Sequence, residues 1–358
     1  KKNKDQGHYS LACRKFKSMD APEEIIFDGD LEAKGTKYFS YVTALSLDQN
    51  KLAVGKDTIG NEEYLMIVRD IKTKKILTKD TIKTSGNFVF AKNDYLFYTV
   101  LEQKTRRPYR IMRHSLGDDP KNDIIIFEEK DPSFFVSCSL SHNDRFLYID
   151  TSQHDTDEIW FFECDQKIPK PRLIKKRELD FEYDVSYHPE SNRFFILTNK
   201  DKAVDYKIME VSTDNPKVEN WKTFLDHKPG RLILGLMIIK GWLIRSVRDN
   251  FNEEIIATNL DTYEEHKIEF ENEEGCSIGV SPAAVDYDSK NWIRVSFSSM
   301  KTEARVYDYN CKTKKLVLKK KQTIPSGHDN SQYECKRILT KSKDGAVDIP
   351  ITLLWKKG

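Results

Sequence analysis

The sequence predicts an all-β chain, a seven-bladed β-propeller with an incomplete first blade, and three observations carry that prediction. Segments of similar character recur at intervals of 45 to 50 residues. Each recurrence holds several short runs rich in β-branched and aromatic residues, separated by turn residues. No 3.6-residue apolar period is sustained, so long amphipathic helices are excluded.

The clearest series reads YLMIVRD from Tyr64, YRIMRHS from Tyr109, EIWFFEC from Glu158, YKIMEVS from Tyr206, EIIATNL from Glu254 and ARVYDYN from Ala304; successive starts lie 45, 49, 48, 48 and 50 residues apart. A second series precedes each member: NKLAVGKD at 50, DYLFYTV at 94, DRFLYID at 144, NRFFILT at 192, KGWLIRS at 240 and NWIRVSF at 291. Members of the second series follow polar turns such as Leu47-Asp48-Gln49-Asn50 or His142-Asn143-Asp144-Arg145, and before those turns lie short apolar stretches such as TALSL and SCSLS. A weaker fourth run closes the unit, as in KKILTKD (74–80), NDIIIFEE (122–129) and PRLIKK (171–176). Four strands per 40 to 50 residues is the signature of a propeller blade. Nearly continuous apolar runs such as RFFILT suit middle strands buried on both faces. Even spacing argues against a β-sandwich, and the WD40 and kelch signature residues are absent.

Six full units run from Tyr38 to Gln322. Upstream, HYSLACRK and EEIIFDG supply two further strands, a partial first blade at 8–36. The propeller is thus expected over 1–325. Beyond it, IPSGHDNSQYE breaks the repeat, and CKRILTKSKDGAVDIPITLLWKKG reads as a hairpin around Asp344-Gly345. Residues 326–358 therefore read as a linker and the opening hairpin of a second domain that is cut off, with no evident structural partner for the hairpin.

Composition narrows the function classes. The chain has 358 residues, 38% apolar and 32% charged, enough for a core under a heavily charged surface. Lys and Arg number 59 against 57 Asp and Glu, so no global field draws the chain to nucleic acid or membrane. Six cysteines without a C-x-x-C pair read as free thiols in a reducing, cytoplasmic compartment. No apolar run approaches a membrane span, and the first residues, KKNKDQGHYS, contain neither an initiator Met nor an apolar signal-peptide core. Eight scattered histidines form no H-x-H or H-x-x-x-H pair, and no Gly-rich phosphate loop is present, so no metal and no cofactor is expected. The basic run KTKKLVLKKK (312–321) reads as an edge strand whose lysines block further pairing.

One motif suggests catalysis. Gly275-Cys276-Ser277-Ile278-Gly279 fits G-x-S-x-G, the nucleophile elbow of α/β-hydrolases, which needs a buried strand before the serine and a helix after it. Here the solvated run Glu271-Asn272-Glu273-Glu274 precedes it, Pro282 disfavours a helix after it, and the only later histidine is His328 in a linker. Ser277 reads as a blade residue and a decoy, which leaves no catalytic residue in the chain.

Specific segments carry a resemblance. DTIGNEEYLMIVRDIKT (57–73), TSGNFVF (84–90), RRPYRIMRHSLGDDP (106–120), FEEKDPSFFVSCSLSHNDRFLYI (127–149), TDEIWFFE (156–163) and KSKDGAVDIPITLLWKKG (341–358) resemble the propeller region of the prolyl oligopeptidase family of serine peptidases, most closely its oligopeptidase B branch. The resemblance implies a seven-bladed propeller, not closed by a shared strand, that caps an α/β-hydrolase domain and admits only peptides. It places the Ser-His-Asp triad after the ITLLW hairpin, beyond Gly358, and most of the acidic residues that receive Lys or Arg there too. The implied function is the substrate-gating portion of a peptidase that cuts short peptides after Lys or Arg. Its partners are peptide substrates met through the missing domain, and the chain alone is expected to be inactive. The first strands of blade one and the N-terminal hydrolase segment are absent from the pattern.

Within that resemblance, Thr84, Ser85 and Asn87, with Gly86 between them, are expected to open the inner strand of a blade at a corner that can face the substrate cavity; an ordinary strand-entry turn is the plainer reading. Gln153 and His154 lie in TSQHDTDE (151–158), a loop the family places near the domain interface. That loop lacks the glycine and distal Glu of a calcium loop and reads as solvated. The alternative is a stand-alone propeller acting as a protein-interaction module, or the remnant of a split gene, since fold does not dictate function. An incomplete first blade and an uncovered Ile351, Leu353, Leu354 and Trp355 argue against it.

Overall fold

A computed structural model describes residues 2–4, 7–16, 20–270, 273–281 and 286–358. The chain divides into two compact units, Lys1–Leu179 and Asp180–Gly358, each built of antiparallel sheets.

The first unit opens with a three-stranded sheet, blade 1, of β1 (Lys2–Asn3), β2 (Ser10–Lys15) and β3 (Glu23–Asp28), followed by a single helical turn, α1 (Gly29–Glu32). Blade 1 has one short strand more than the two expected. Blade 2 comprises β4 (Ser40–Leu45), β5 (Lys51–Asp57), β6 (Tyr64–Asp70) and β7 (Ile82–Thr84). Blade 3 comprises β8 (Phe88–Phe90), β9 (Tyr95–Leu101), β10 (Pro108–Ser115) and β11 (Ile124–Glu128). Blade 4 comprises β12 (Phe135–Leu140), β13 (Phe146–Ser152), β14 (Asp157–Glu163) and β15 (Arg172–Lys175).

In the second unit, blade 5 holds β16 (Tyr183–His188), β17 (Arg193–Thr198), β18 (Lys207–Ser212) and β19 (Lys222–Leu225). Blade 6 holds β20 (Arg231–Ile239), β21 (Trp242–Asp249), β22 (Asn252–Asn259) and β23 (Glu265–Lys267). Blade 7 holds β24 (Ser277–Val280), β25 (Trp292–Ser298), β26 (Arg305–Asn310) and β27 (Lys315–Lys321). A two-stranded ribbon, β28 (Tyr333–Lys341) and β29 (Asp348–Lys356), ends the chain. In every sheet the strands lie side by side in chain order, the order expected of propeller blades.

The second and third strands of each full blade fall on the two strong repeat series. One outer strand does not follow its expected segment. KKILTKD (74–80) contributes only an isolated bridge from Ile76 to Arg69, and blade 2 closes with β7 at Ile82–Thr84 instead. Outer strands are short and half-solvated, so their pattern competes weakly with the turn chemistry around them.

The polar turns work as their composition implies. Asp144, Asn192 and Asn291 adopt φ of 59°, 50° and 70°, the left-handed region where short polar side chains are tolerated, and Gln49 sits there too at 57°. Ser46 and Ser141 lock two of these turns: each hydroxyl accepts the backbone N–H five residues on, from Lys51 and Phe146, at 2.9 Å. The terminal ribbon uses the same device, with Val347 N donating to Ser342 Oγ at 3.0 Å.

The core lies between consecutive sheets. Ala53, Met66 and Val68 of blade 2 pack on Phe88, Phe90 and Leu96 of blade 3. Phe97 and Ile111 of blade 3 pack on Val136, Leu147, Ile149 and Phe162 of blade 4. In the second unit, Phe195 and Ile208 of blade 5 meet Ile233, Leu243 and Ile256 of blade 6, and Ile244 and Ile255 of blade 6 meet Ile293, Val295 and Phe297 of blade 7. Burying each of these Val, Leu, Ile, Met and Phe side chains contributes about 1.5–3 kcal/mol.

At the rim of blade 7, Glu303 accepts from Arg305 Nε at 2.8 Å and lies 3.1 Å from Lys321 Nζ. Burial works against its charge, but the hydrogen bond from Arg305, with help from Lys321, outweighs it and holds the carboxyl at about 2, below its ordinary 4.5. A carboxylate depressed in the folded state adds stability above its unfolded value and loses it as pH falls through the folded one. The gap in urea midpoint between the protein and its Glu303→Gln variant should therefore be full at pH 6 and close between pH 4.5 and 2. A gap unchanged at pH 2 would show that the carboxylate charge adds nothing.

Candidate functional site

Two features of the first unit combine polar residues with unusual backbone. The first is the crossover from blade 2 to blade 3. Thr84 does not open the inner strand as expected; it ends the outer strand β7, paired with Tyr64, and is fully buried. Ser85, Gly86 and Asn87 then pass directly into β8. Gly86 turns the chain at φ 92°, and a Cβ there would stand 2.9 Å from the Tyr64 ring, so no other residue fits without a shift. Its N–H donates to Thr84 Oγ1 at 3.2 Å. Ser85 N donates to Thr99 O at 3.0 Å and the two hydroxyls are bonded.

Asn87 joins blade 3 to blade 4. Its Nδ2 donates to Cys138 O at 3.1 Å, and its Oδ1 accepts from Cys138 N at 2.8 Å. Cys138 lies on β12, an edge strand with a neighbour on one side only, so the amide takes the place of a missing strand for one residue.

The second feature is the β13–β14 hairpin. The solvated loop expected over 151–158 shrinks to four residues, 153–156, because Thr151 and Glu158 already pair across the strands. Gln153 is fastened across the turn, its N–H donating to Thr156 O at 3.0 Å and its Nε2 to Thr156 Oγ1 at 3.1 Å. His154 is exposed at the tip. Among the described residues no hydrogen bond joins this turn to the 84–87 crossover.

Near the turn lies a half-buried ionic cluster that linear reading missed. Arg177 Nη2 is bonded to Glu129 Oε2 and lies 3.0 Å from Glu158 Oε1 and 3.3 Å from Thr151 Oγ1. Its backbone N–H donates to Glu158 Oε2 at 2.9 Å, and its guanidinium stacks 3.8 Å from the Phe134 ring centroid. Trp160 Nε1 adds a bond to Glu158 at 3.1 Å. Arg107 closes the cluster from beneath, donating to Phe134 O at 2.6 Å. Burial opposes the charge of Glu158, yet the bonds from Arg177 and Trp160 hold its carboxyl below the usual range. Arg177 in turn is raised: burial pulls its value down, and Glu158 and Glu129 more than compensate. The four charges, at 107, 129, 158 and 177, lie far apart in sequence and on different segments, so spacing could not reveal them; an acid in the period-two position opposite Thr151 was the one available sign.

In the second unit, Ser277 opens the strand β24, paired with Ser298, rather than sitting on a strand-to-helix turn. Its hydroxyl donates to Glu253 Oε2 at 3.2 Å, and Ile278 N donates to the same oxygen at 3.0 Å. His328 Nε2 is engaged with Lys301 O at 2.6 Å and its ring stacks on Tyr333. Glu271, Asn272 and Pro282 lie outside the described residues. Burial pushes the Cys311 thiol up to about 12 and that of Cys138 higher still, the reverse of an activated nucleophile. No group of three His, Cys, Asp or Glu side chains able to hold a metal occurs among the described residues.

Residues 1–322 match the family described as prolyl oligopeptidase, N-terminal beta-propeller domain. The chain belongs to the prolyl oligopeptidase family. Seven of the eight sheets described are blades of that propeller, the first of them incomplete, and the terminal ribbon lies outside the matched residues. The chain is similar to dipeptidyl aminopeptidase BI of Pseudoxanthomonas mexicana, 26% identical over 341 residues that span 94% of this chain and 46% of the relative. It is similar to protease 2 of Moraxella lacunata, 23% identical over 363 residues, 100% of this chain and 51% of that one. Among solved structures, oligopeptidase B from Leishmania major superposes with a TM-score of 0.89 at 21% identity, over 97% of this chain and 50% of that one. The chain thus spans about half the length of the curated relatives it matches. No helix among the described residues is long and apolar enough to cross a membrane.

Proposed function

We propose that this prolyl oligopeptidase-family propeller is the substrate-gating portion of a cytoplasmic serine peptidase of the oligopeptidase B kind, which cleaves short peptides after Lys or Arg. The observation that carries the reading is the family match over 322 residues in a chain half as long as its relatives. Acyl transfer in such an enzyme runs through a serine activated by histidine, with backbone N–H groups on the oxyanion. On this reading all of those groups belong to a hydrolase domain built beyond Gly358, and the chain itself turns over no peptide.

The bare face of the ribbon favours this reading over a stand-alone interaction module. Ile338, Ile351, Leu353 and Trp355 share one face across the two strands, and each is 38–41% exposed. A face of that kind costs solubility unless another layer covers it. Among the cavity candidates, we assign peptide contact to His154, at the exposed tip, and to Gln153 and Ser85. Thr84 is fully buried and Asn87 spends both ends of its amide on Cys138, so these two hold the crossover, whereas Ser85 and Gln153 are only half-buried.

The experiment is hydrolysis of chromogenic peptides ending in Arg, Lys or Pro, by the 358-residue chain and by a longer species carrying a C-terminal extension. The expected result is turnover of the Arg and Lys peptides by the longer species only. Turnover by the chain alone that Ser277→Ala abolishes would overturn the assignment.

A further inference from the structure

The ribbon is not without a partner, as the sequence suggested; one arginine fastens its inner face to blades 6 and 7. Arg337 Nη1 donates to Phe251 O at 2.6 Å and to Asn252 Oδ1 at 3.0 Å. Its Nε lies 3.3 Å from Oγ1 of Thr352, its cross-strand partner, and its backbone N–H is bonded to the Glu274 carboxylate. Gly275, at φ 69°, leaves room for this contact: a Cβ there would stand 2.7 Å from Thr352 Cγ2. Cys335 Sγ adds a contact at 3.4 Å to Glu274 O.

The place where Arg337 grips blade 6 is itself strained. The turn between β21 and β22 puts Asn250 and Phe251 at φ 46° and 66°, a conformation hairpins favour with Asn-Gly and one an aromatic residue rarely adopts. The guanidinium binds the carbonyl of that aromatic residue, so the turn and the ribbon hold each other. Removing either leaves the other short of a charge-assisted bond.

We propose that Arg337 is a latch that sets the attitude of the ribbon against blades 6 and 7, and that its release lets the ribbon pivot on the segment 323–332. The consequence for a domain built on the ribbon rests on the peptidase reading: the attitude of that domain is then governed from the Phe251 turn. The latch itself does not depend on that reading.

Hydrogen–deuterium exchange on the 358-residue chain tests it, comparing the wild type with Arg337→Ala, Arg337→Lys and Gly275→Ala. With the latch lost, exchange over 333–341, 348–356 and 250–253 is expected to accelerate about ten-fold, while blade 5 keeps its wild-type rates. Arg337→Lys keeps a single point charge without the fork and should recover part of the protection. Gly275→Ala should reproduce the acceleration with Arg337 intact. Wild-type ribbon rates in Arg337→Ala or Gly275→Ala, or acceleration spread evenly over the second unit, would overturn the latch. A longer species that shows no peptidase activity would overturn the peptidase reading while leaving the exchange result in force.

Discussion

Replacing Arg177 with alanine is expected to destabilise the first unit by about 3 kcal/mol, the lower end of the cost of removing one partner from a buried ion pair, because the Arg177 side chain stays 21% exposed. The substitution takes from Glu129 and Glu158, both buried, the one cation that bonds both carboxylates, while Arg107 nearby bonds only the carbonyl oxygens of Glu129 and Phe134. It also removes the cation over Phe134 and the bond to Thr151. Against a typical total of 5–15 kcal/mol, a loss of that size unfolds an appreciable fraction of molecules at 37 °C. The measurement is the urea midpoint followed by a probe in blade 4, such as Trp160 fluorescence. A second substitution identifies the cause: Glu158→Gln in the Arg177→Ala background removes one stranded charge and should restore much of the loss. If the double variant is no better than the single one, lost packing rather than stranded charge is responsible.

Asn87→Ala should cost roughly 2–4 kcal/mol, because each buried polar group left without a partner costs about 1–3 kcal/mol. The amide answers both backbone groups of Cys138 on the unpaired side of β12. Its loss exposes that strand edge as well as breaking two bonds, so the Cys138 amide should lose its hydrogen-exchange protection first. Asn87→Asp keeps the acceptor for Cys138 N but turns the Nδ2 donor into a second acceptor facing Cys138 O, and should fall between. A Cys138 amide as protected in Asn87→Ala as in the wild type would refute the strut. By contrast Ser85→Ala removes a single hydroxyl pairing with Thr99 and should leave stability nearly unchanged while altering any peptide contact made there.

The fold was largely legible because propeller blades repeat. A middle strand is buried on both faces, so Phe194-Phe195-Ile196-Leu197 or Leu96-Phe97-Tyr98 announces itself as an unbroken apolar run, and the Asp/Asn turns mark its start. Edges were less legible. β7 is three residues long and was displaced from KKILTKD, since Ile76 and Leu77 looked like strand residues but serve a turn and one bridge. β1 is two residues long and carried no period at all.

The candidate site was legible only as places, not as bonds. The TSGN corner was visible through Gly86, yet that Asn87 reaches a residue 51 positions on, and that Thr84 belongs to the preceding strand, depend on how sheets stack. The 151–158 stretch reads as solvated because it is rich in acids, while the register that buries Thr151 and Glu158 appears only once the hairpin is closed. Arg177 follows the Lys175-Lys176 end of β15 and Arg337 sits beside Lys336 within β28, and nothing local separates them from surface charges. Long-range ion pairs leave little trace in one sequence, whereas periodic burial leaves a great deal.

The most direct test of the account is to label the native protein, in extracts of the cells that make it, with a serine-reactive fluorophosphonate and measure the intact mass of the labelled species. The expected species is about twice the 41.8 kDa of this chain, contains its peptides and carries the label on a serine beyond Gly358. A labelled Ser277, or an unlabelled species that ends near Gly358, would contradict it.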